Sequence, residues 1–231
     1  MESEIQNVAD YVEYVLDISR GGNLFYRGHS DKNYDLMPSI GRHVLLADKS
    51  RCSPDHLRDR ELQSLEEFRD QSVPFITDRN RTMLDVMVLA QHHGVPTRLM
   101  DWTTNPLVAL YFAVRNVKKN TDGVVYIASP PSRLPSKFAS GSVPVVDIDI
   151  LCQFAPQHID LRVSAQFSVF TLHPDPYTSL DKSAIPSVWF KGDKKELIFA
   201  ELNVLGITAQ SLFPGLSGVG ERIKNSKFSS Y

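Results

Sequence analysis

Eight consecutive residues, Leu107-Val108-Ala109-Leu110-Tyr111-Phe112-Ala113-Val114, carry no charge and leave no polar face. A helix that is apolar all round has nothing to offer water, so it must lie inside the protein. Pro106 suits its first position, where the missing N–H would be unpaired anyway, and Thr104 or Asn105 supplies the cap. Immediately before it, residues 91–106 are crowded with polar side chains: Gln91, His92, His93, Thr97, Arg98, Asp101, Thr103, Thr104 and Asn105. A buried helix holds this stretch against the core, where each unpaired polar group costs about 1–3 kcal/mol. Two readings follow. Asp101 and Thr104 cap the helix while Arg98 pairs with a carboxylate, or the group faces a ligand. A cap needs one such residue and not six, which makes the stretch a candidate site.

The rest of the chain supplies elements to surround that helix. Ile5, Val8, Tyr11, Val12 and Val15 recur at helical spacing and end at Gly21-Gly22. Leu24-Phe25-Tyr26-Arg27-Gly28 reads as a strand. Residues 30–51 read as loop-rich, with a turn at Met37-Pro38-Ser39. Ser53-Pro54 opens a helix running to about Arg69, and a further helix spans about 81–92, stopped by Gly94 in a left-handed cap. Gly123-Val124-Val125-Tyr126-Ile127-Ala128 reads as a buried strand, followed by an exposed proline-rich loop to Gly141. Strands are expected at 143–148, 162–166, 169–172 and 188–190. A late helix is capped by Asp193 with Glu196, turns Leu197, Ile198, Leu202 and Leu205 inward, and closes at Gly206. A last short helix is expected within 211–224, and the polar tail 225–231 frays. The pattern predicts one α+β domain over 1–231, a mixed central sheet flanked by helices.

Composition narrows the class. With 231 residues and 42% hydrophobic content the chain can bury a full core without staples. Lys plus Arg number 25 and Asp plus Glu 27, so net charge gives no long-range pull toward a polyanion. Cys52 and Cys152 form no CxxC and no zinc spacing, and read as structural thiols in a reducing compartment. The acidic N-terminus lacks signal-peptide character, and no apolar run approaches the roughly 18 residues of a membrane span, so the expectation is a cytoplasmic protein without a membrane partner.

A second cluster is Tyr26-Arg27-Gly28-His29. An arginine at the end of a buried strand offers a planar, permanent charge that fits phosphate or carboxylate. The glycine after it lets a ligand approach the backbone. The alternative for Arg27 is an ion pair with an acidic neighbour. No metal is expected: His92 and His93 point about 100° apart on a helix and neither HExxH nor a facial triad occurs. GxSxG, Walker A and GxGxxG are also absent.

Two segments resemble the FRG-domain family. One is Phe25-Tyr26-Arg27-Gly28-His29. The other, more specific, is Leu89-Ala90-Gln91-His92-His93-Gly94-Val95-Pro96-Thr97-Arg98-Leu99-Met100-Asp101-Trp102-Thr103-Thr104-Asn105-Pro106 with Ala109-Leu110-Tyr111-Phe112-Ala113. The clear similarity spans about 24–128. A weaker one is Arg162-Val163-Ser164-Ala165-Gln166 with Phe170, where this chain has Phe167-Ser168 in place of the glycine that often follows the glutamine. The order of elements is similar to that of ADP-ribosyltransferases, which split NAD between nicotinamide and ribose.

That resemblance implies NAD as substrate. Arg27 would hold a phosphate or ribose, the Gly28 backbone the nicotinamide amide and His29 the adenosine ribose, with Tyr26, Arg98, Trp102 and Thr103 completing the binding set. Arg27, Asp101 and Gln166 would be the catalytic group. Gln166 is neutral and cannot stabilise an oxocarbenium-like ribose, so Asp101 is the preferred carboxylate and Glu201 the reserve. The implied role is an effector, a toxin or phage-defence component, modifying a nucleic acid or protein and partnered by an antitoxin or regulatory protein. The alternatives are a non-catalytic nucleotide- or partner-binding module and a nucleic-acid-acting enzyme.

Overall fold

In the computed structural model, which describes residues 2–19, 22–46, 54–76, 81–116, 120–156 and 161–228, seven strands form one mixed sheet. They are β1 (Glu2–Glu4), β2 (Phe25–His29), β3 (Leu99–Thr103), β4 (Gly123–Ala128), β5 (Cys152–Phe154), β6 (Ser168–Leu172) and β7 (Ser187–Phe190), in the order β1-β7-β4-β2-β3-β6-β5. β1 runs parallel to β7, and every other neighbouring pair is antiparallel.

Alternation along the strands divides the core. On one face Tyr26, Val125, Ile127, Val188 and Phe190 pack under the helices α1 (Val8–Ile18), α5 (Pro106–Val114), α8 (Lys195–Val204) and α9 (Ala209–Leu212). Farther along that face Leu99, Phe170 and Leu172 meet α3 (Pro54–Ser72), α4 (Met83–His92) and α7 (Leu161–Ala165). On the opposite face Phe25, Met100, Trp102, Val124, Tyr126 and Val169 form a smaller cluster with Leu36, beside α2 (Ser39–Leu46). The all-apolar run is α5, and Val108, Leu110, Tyr111, Ala113 and Val114 are fully enclosed. Asn105 is its cap: Oδ1 accepts from the N–H of Leu107 at 3.0 Å and of Val108 at 3.4 Å. Gly94 takes the left-handed conformation expected after α4, and Gly206, expected to close α8, takes it too.

Several elements depart from the sequence reading. Where a strand was expected at 162–166, residues 161–165 form α7 and Gln166 lies in the turn after it; the polar–apolar alternation is only five residues long and buries a single side chain, Val163. Residues 145–147 make a 3₁₀ turn where a strand was expected. Pro144 stands at its N-cap, and Val145 and Val146 are both buried. The region 30–51 contains α2, and the loop before Gly141 contains α6 (Ser136–Ala139), whose Phe138 is buried. β1 and β5 are three-residue edge strands, too short to show a period.

α8 starts at Lys195 after a 3₁₀ turn, so Asp193 is not its cap. Lys195, Ile198 and Leu202 face inward while Leu197 and Leu205 are exposed. Lys195 is buried because its Nζ donates to the Ser30 carbonyl at 2.7 Å. The final helical section is split at Pro214-Gly215 into α9 and α10 (Leu216–Phe228). α1 ends at Ile18, before the glycine pair. Ser53 as a cap, Gly21 as a stop, Cys52 and the tail 229–231 lie outside the described residues. Cys152 is a buried free thiol. No helix among the described residues is long and apolar enough to cross a membrane.

Candidate functional site

β2 pairs with β4 along its whole length but meets β3 in only one registered pair, Tyr26 with Thr103. Beyond that pair the two central strands part. A cavity of about 490 Å³ opens there, within the size range of small-molecule sites. Tyr26, Arg27, Gly28 and His29 line it from β2, and Asp101, Trp102 and Thr103 from β3. Gln166 lines it from the turn between α7 and β6. Arg27, Asp101 and Gln166, which lie far apart in the sequence, therefore share one cavity.

The arginine is held on both sides. Its Nε donates to His29 Nε2 at 3.0 Å, and Nη1 donates to the Asp101 carbonyl. Nη1 also stands 3.8 Å from Asp101 Oδ2. Burial, and after it Arg27, Arg42 and Lys182, hold the His29 pKa down at about 2. His29 is thus a neutral acceptor that orients the guanidinium. Burial also draws Arg27 down to about 10, against the pull of Asp101. It keeps its charge at neutral pH. The Asp101 side chain is half exposed, and Oδ1 accepts from Gln91 Nε2 at 2.8 Å. A partly wet, hydrogen-bonded carboxylate between two donors suits stabilising positive charge.

Most of the polar stretch around Asp101 proves to be occupied with itself. Thr97 donates its N–H to Ser39 Oγ at 3.0 Å and its hydroxyl to Gln91 Oε1, and that hydroxyl accepts the Leu99 N–H at 3.1 Å. Arg98 does not line the cavity. It is buried against Glu61, Nη2 to Oε2 at 2.7 Å and Nε to Oε2 at 2.8 Å, so its charge is spent inside the core. Thr103 lines the cavity yet donates to the Gln166 carbonyl at 2.7 Å and accepts the Asn105 N–H at 3.0 Å. Trp102 is buried with its indole N–H on Thr171 Oγ1 at 2.9 Å. Glu201 caps α1 through the Val8 N–H at 2.7 Å and does not line the cavity.

Gly28 lines the cavity and also has a packing role that the sequence reading did not include. A Cβ there would stand 1.9 Å from the Ala109 carbonyl oxygen of α5. The missing side chain makes room for the helix. Gln166 donates through Nε2 to the Leu212 carbonyl at 3.0 Å, tying the cavity rim to α9. Phe167, next to it, has φ of 50° with a bulky side chain at the position where glycine was anticipated.

Sequence reasoning missed Tyr34, Phe112, Arg115, Asn116 and Phe213. Ala109, Phe112 and Asn116 stand at i, i+3 and i+7, and Arg115 and Asn116 are the first polar residues after an all-apolar helix, which was a usable signal. Arg115 lies over the rings of Phe112 and Phe213, 5.7 and 5.3 Å from their centres, and 4.0 Å from Glu221 of α10. Arg162, whose Nη1 donates to the His92 carbonyl at 3.4 Å, completes a trio of guanidinium groups with Arg27 and Arg115. Asp101 is the only carboxylate among the described residues lining the cavity. Among the described residues, no group of three or more His, Cys, Asp or Glu is placed to hold a metal ion.

Residues 22–122 match the family model described as the FRG domain. That span contains both Tyr26-Arg27-Gly28-His29 and Asp101-Trp102-Thr103. No curated protein and no solved structure matches the chain.

Proposed function

From a chain that carries an FRG domain over residues 22–122, we propose an ADP-ribosyltransferase-like protein that takes NAD as substrate and modifies a macromolecule. The observation behind this reading is the meeting of Arg27, Asp101 and Gln166 in one cavity where the central strands part. Arg27, Arg115 and Arg162 suit the diphosphate, since guanidinium groups bind phosphate oxygens through paired N–H donors. Asp101 faces the positive charge that develops on ribose as nicotinamide leaves. The neutral Gln166 amide, anchored on Leu212, positions a hydroxyl and does not carry charge.

Labelled NAD incubated with the protein and a cell lysate tests the reading. Nicotinamide release and label transfer are expected in the wild type. Both should be lost in Asp101→Asn, with the thermal midpoint kept, because Asp101 is half exposed. No transfer and no release by the wild type would count decisively against it. A second reading, nucleotide binding without turnover, draws on the neutral and already committed Gln166. Its signature in calorimetry is an affinity for NAD or ADP-ribose that depends on Arg27, without chemistry.

A further inference from the structure

The Arg27–Asp101 pair has a second side. A smaller cavity of about 220 Å³ shares both residues with the larger one and is completed by Ser39, Arg42, Gln91 and Gly94 among others. Arg42 comes from α2, in the stretch read from sequence as loop, and its Nη1 donates to the Met37 carbonyl at 2.6 Å. Gly94 has φ of 91° and open space where a Cβ would point. Together the two cavities set four guanidinium groups, Arg27, Arg42, Arg115 and Arg162, around one carboxylate, Asp101. The whole chain, by contrast, has 25 basic and 27 acidic residues. So strong a local excess is a property of the site and not of the surface at large.

The excess bears on the arginines themselves. Arg27 is drawn down by burial, supported by Asp101 and opposed by Arg42. Arg42 is likewise lowered by burial, with only Asp101 in support. Both guanidinium groups lean on the same carboxylate, one of whose oxygens already accepts from Gln91. A compact anion between them would relieve that competition, and a phosphate group matches the donor geometry of two guanidinium groups.

We infer that the smaller cavity is a phosphate subsite, in which Arg42 and Arg27 hold a phosphate group additional to any carried in the larger cavity. The pairing with a dinucleotide rests on the function proposed above, whereas the subsite itself does not. The phosphate has two possible sources, a third phosphate on the dinucleotide, as in NADP, or a separate phosphate.

Calorimetry with inorganic phosphate, NAD and NADP on the wild type, Arg42→Gln and Arg42→Lys tests the inference, with thermal midpoints as the check on folding. The Arg42 guanidinium is partly desolvated, but the residue as a whole is exposed, so its variants should fold. Wild type is expected to bind phosphate, or NADP over NAD, and Arg42→Gln to weaken that binding by about ten-fold or more. Arg42→Lys should lie between, and NAD affinity should not move. A preference for NADP over NAD assigns the phosphate to the dinucleotide, whereas inorganic phosphate binding with no such preference assigns it to a separate molecule. Arg42-dependent phosphate binding without NAD binding upholds the subsite and rejects the dinucleotide. No binding of phosphate or NADP by the wild type, or binding unchanged in Arg42→Gln, overturns the inference.

Discussion

Adding a single methyl group at residue 28 separates two explanations of the motif. In Gly28→Ala the new Cβ would stand 1.9 Å from the Ala109 oxygen, 2.8 Å from the Ala113 nitrogen and 3.0 Å from the Ala109 carbonyl carbon. All three are backbone atoms, so no rotamer change relieves the clash. Reaching an ordinary contact of roughly 3.4 Å requires β2 and α5 to separate by about 1.5 Å. α5 has nowhere to go, since Val108, Leu110, Ala113 and Val114 are enclosed. Overpacking in a filled core costs about 1–3 kcal/mol, sometimes more, and backbone on the far side puts this case at about 3 kcal/mol or above. For a chain of this length that lowers the thermal midpoint by about 6–12 °C. Circular dichroism melts of Gly28→Ala beside Gly22→Ala supply the assay, because a Cβ at Gly22 meets nothing within 4 Å and should leave the midpoint in place. A Gly28→Ala protein that melts like wild type but binds nucleotide poorly would refute the packing argument and return the glycine to the ligand.

Other substitutions test other parts of the structure. Arg98→Ala leaves the fully enclosed Glu61 carboxylate without its counter-charge and should cost about 3–5 kcal/mol, much of it recovered in Arg98→Met/Glu61→Leu; denaturant titration with an unchanged midpoint for Arg98→Ala speaks against the buried pair. Phe167→Gly removes a half-exposed ring from a left-handed residue and should be neutral or stabilising by up to about 1 kcal/mol, whereas a clear loss would mean that the ring packs. Burial with the neighbouring arginines holds His29 at about 2, and burial with Arg27 and Arg98 holds His173 at about 4. From an unfolded value near 6.5 down to about 4, the unfolded chain thus binds more protons, and stability falls as pH falls, by up to about 1.4 kcal/mol per pH unit for each group. Melts of wild type and His173→Gln between pH 7 and 4.5 should show a shallower decline in the variant; identical slopes exclude His173.

What could be read from the sequence follows the strength of local signals. α5 and β4 were visible because burial on every face leaves an unbroken apolar run, and the caps at Asn105, Gly94 and Gly206 because each uses local chemistry. Asp101 and Arg27 stood out as charges next to buried elements. Arg98 looked the same as Arg27 by that criterion. Only its distance to Glu61, 37 positions earlier, separates a core ion pair from a ligand contact. Arg115 carried a local signal in its place just after the apolar helix, whereas Arg42 acquires meaning only from the parting of β2 and β3, a long-range event with no local trace. Nothing local marks Lys195 as a buried residue, because its partner carbonyl, on Ser30, lies 165 residues away. Residues 162–166 are too short a segment for propensity to choose, and packing against α9 and β6 decided for a helical turn.

The lone Tyr26–Thr103 pairing at the middle of the sheet makes two ladders that share one rung. Amides along β2, β4 and β7 belong to one and those along β3 and β6 to the other, so native-state hydrogen exchange should report two opening free energies rather than one. A small molecule gripping Arg27 and Asp101 together adds a second rung, and its binding energy becomes legible as slower exchange in strands it never touches.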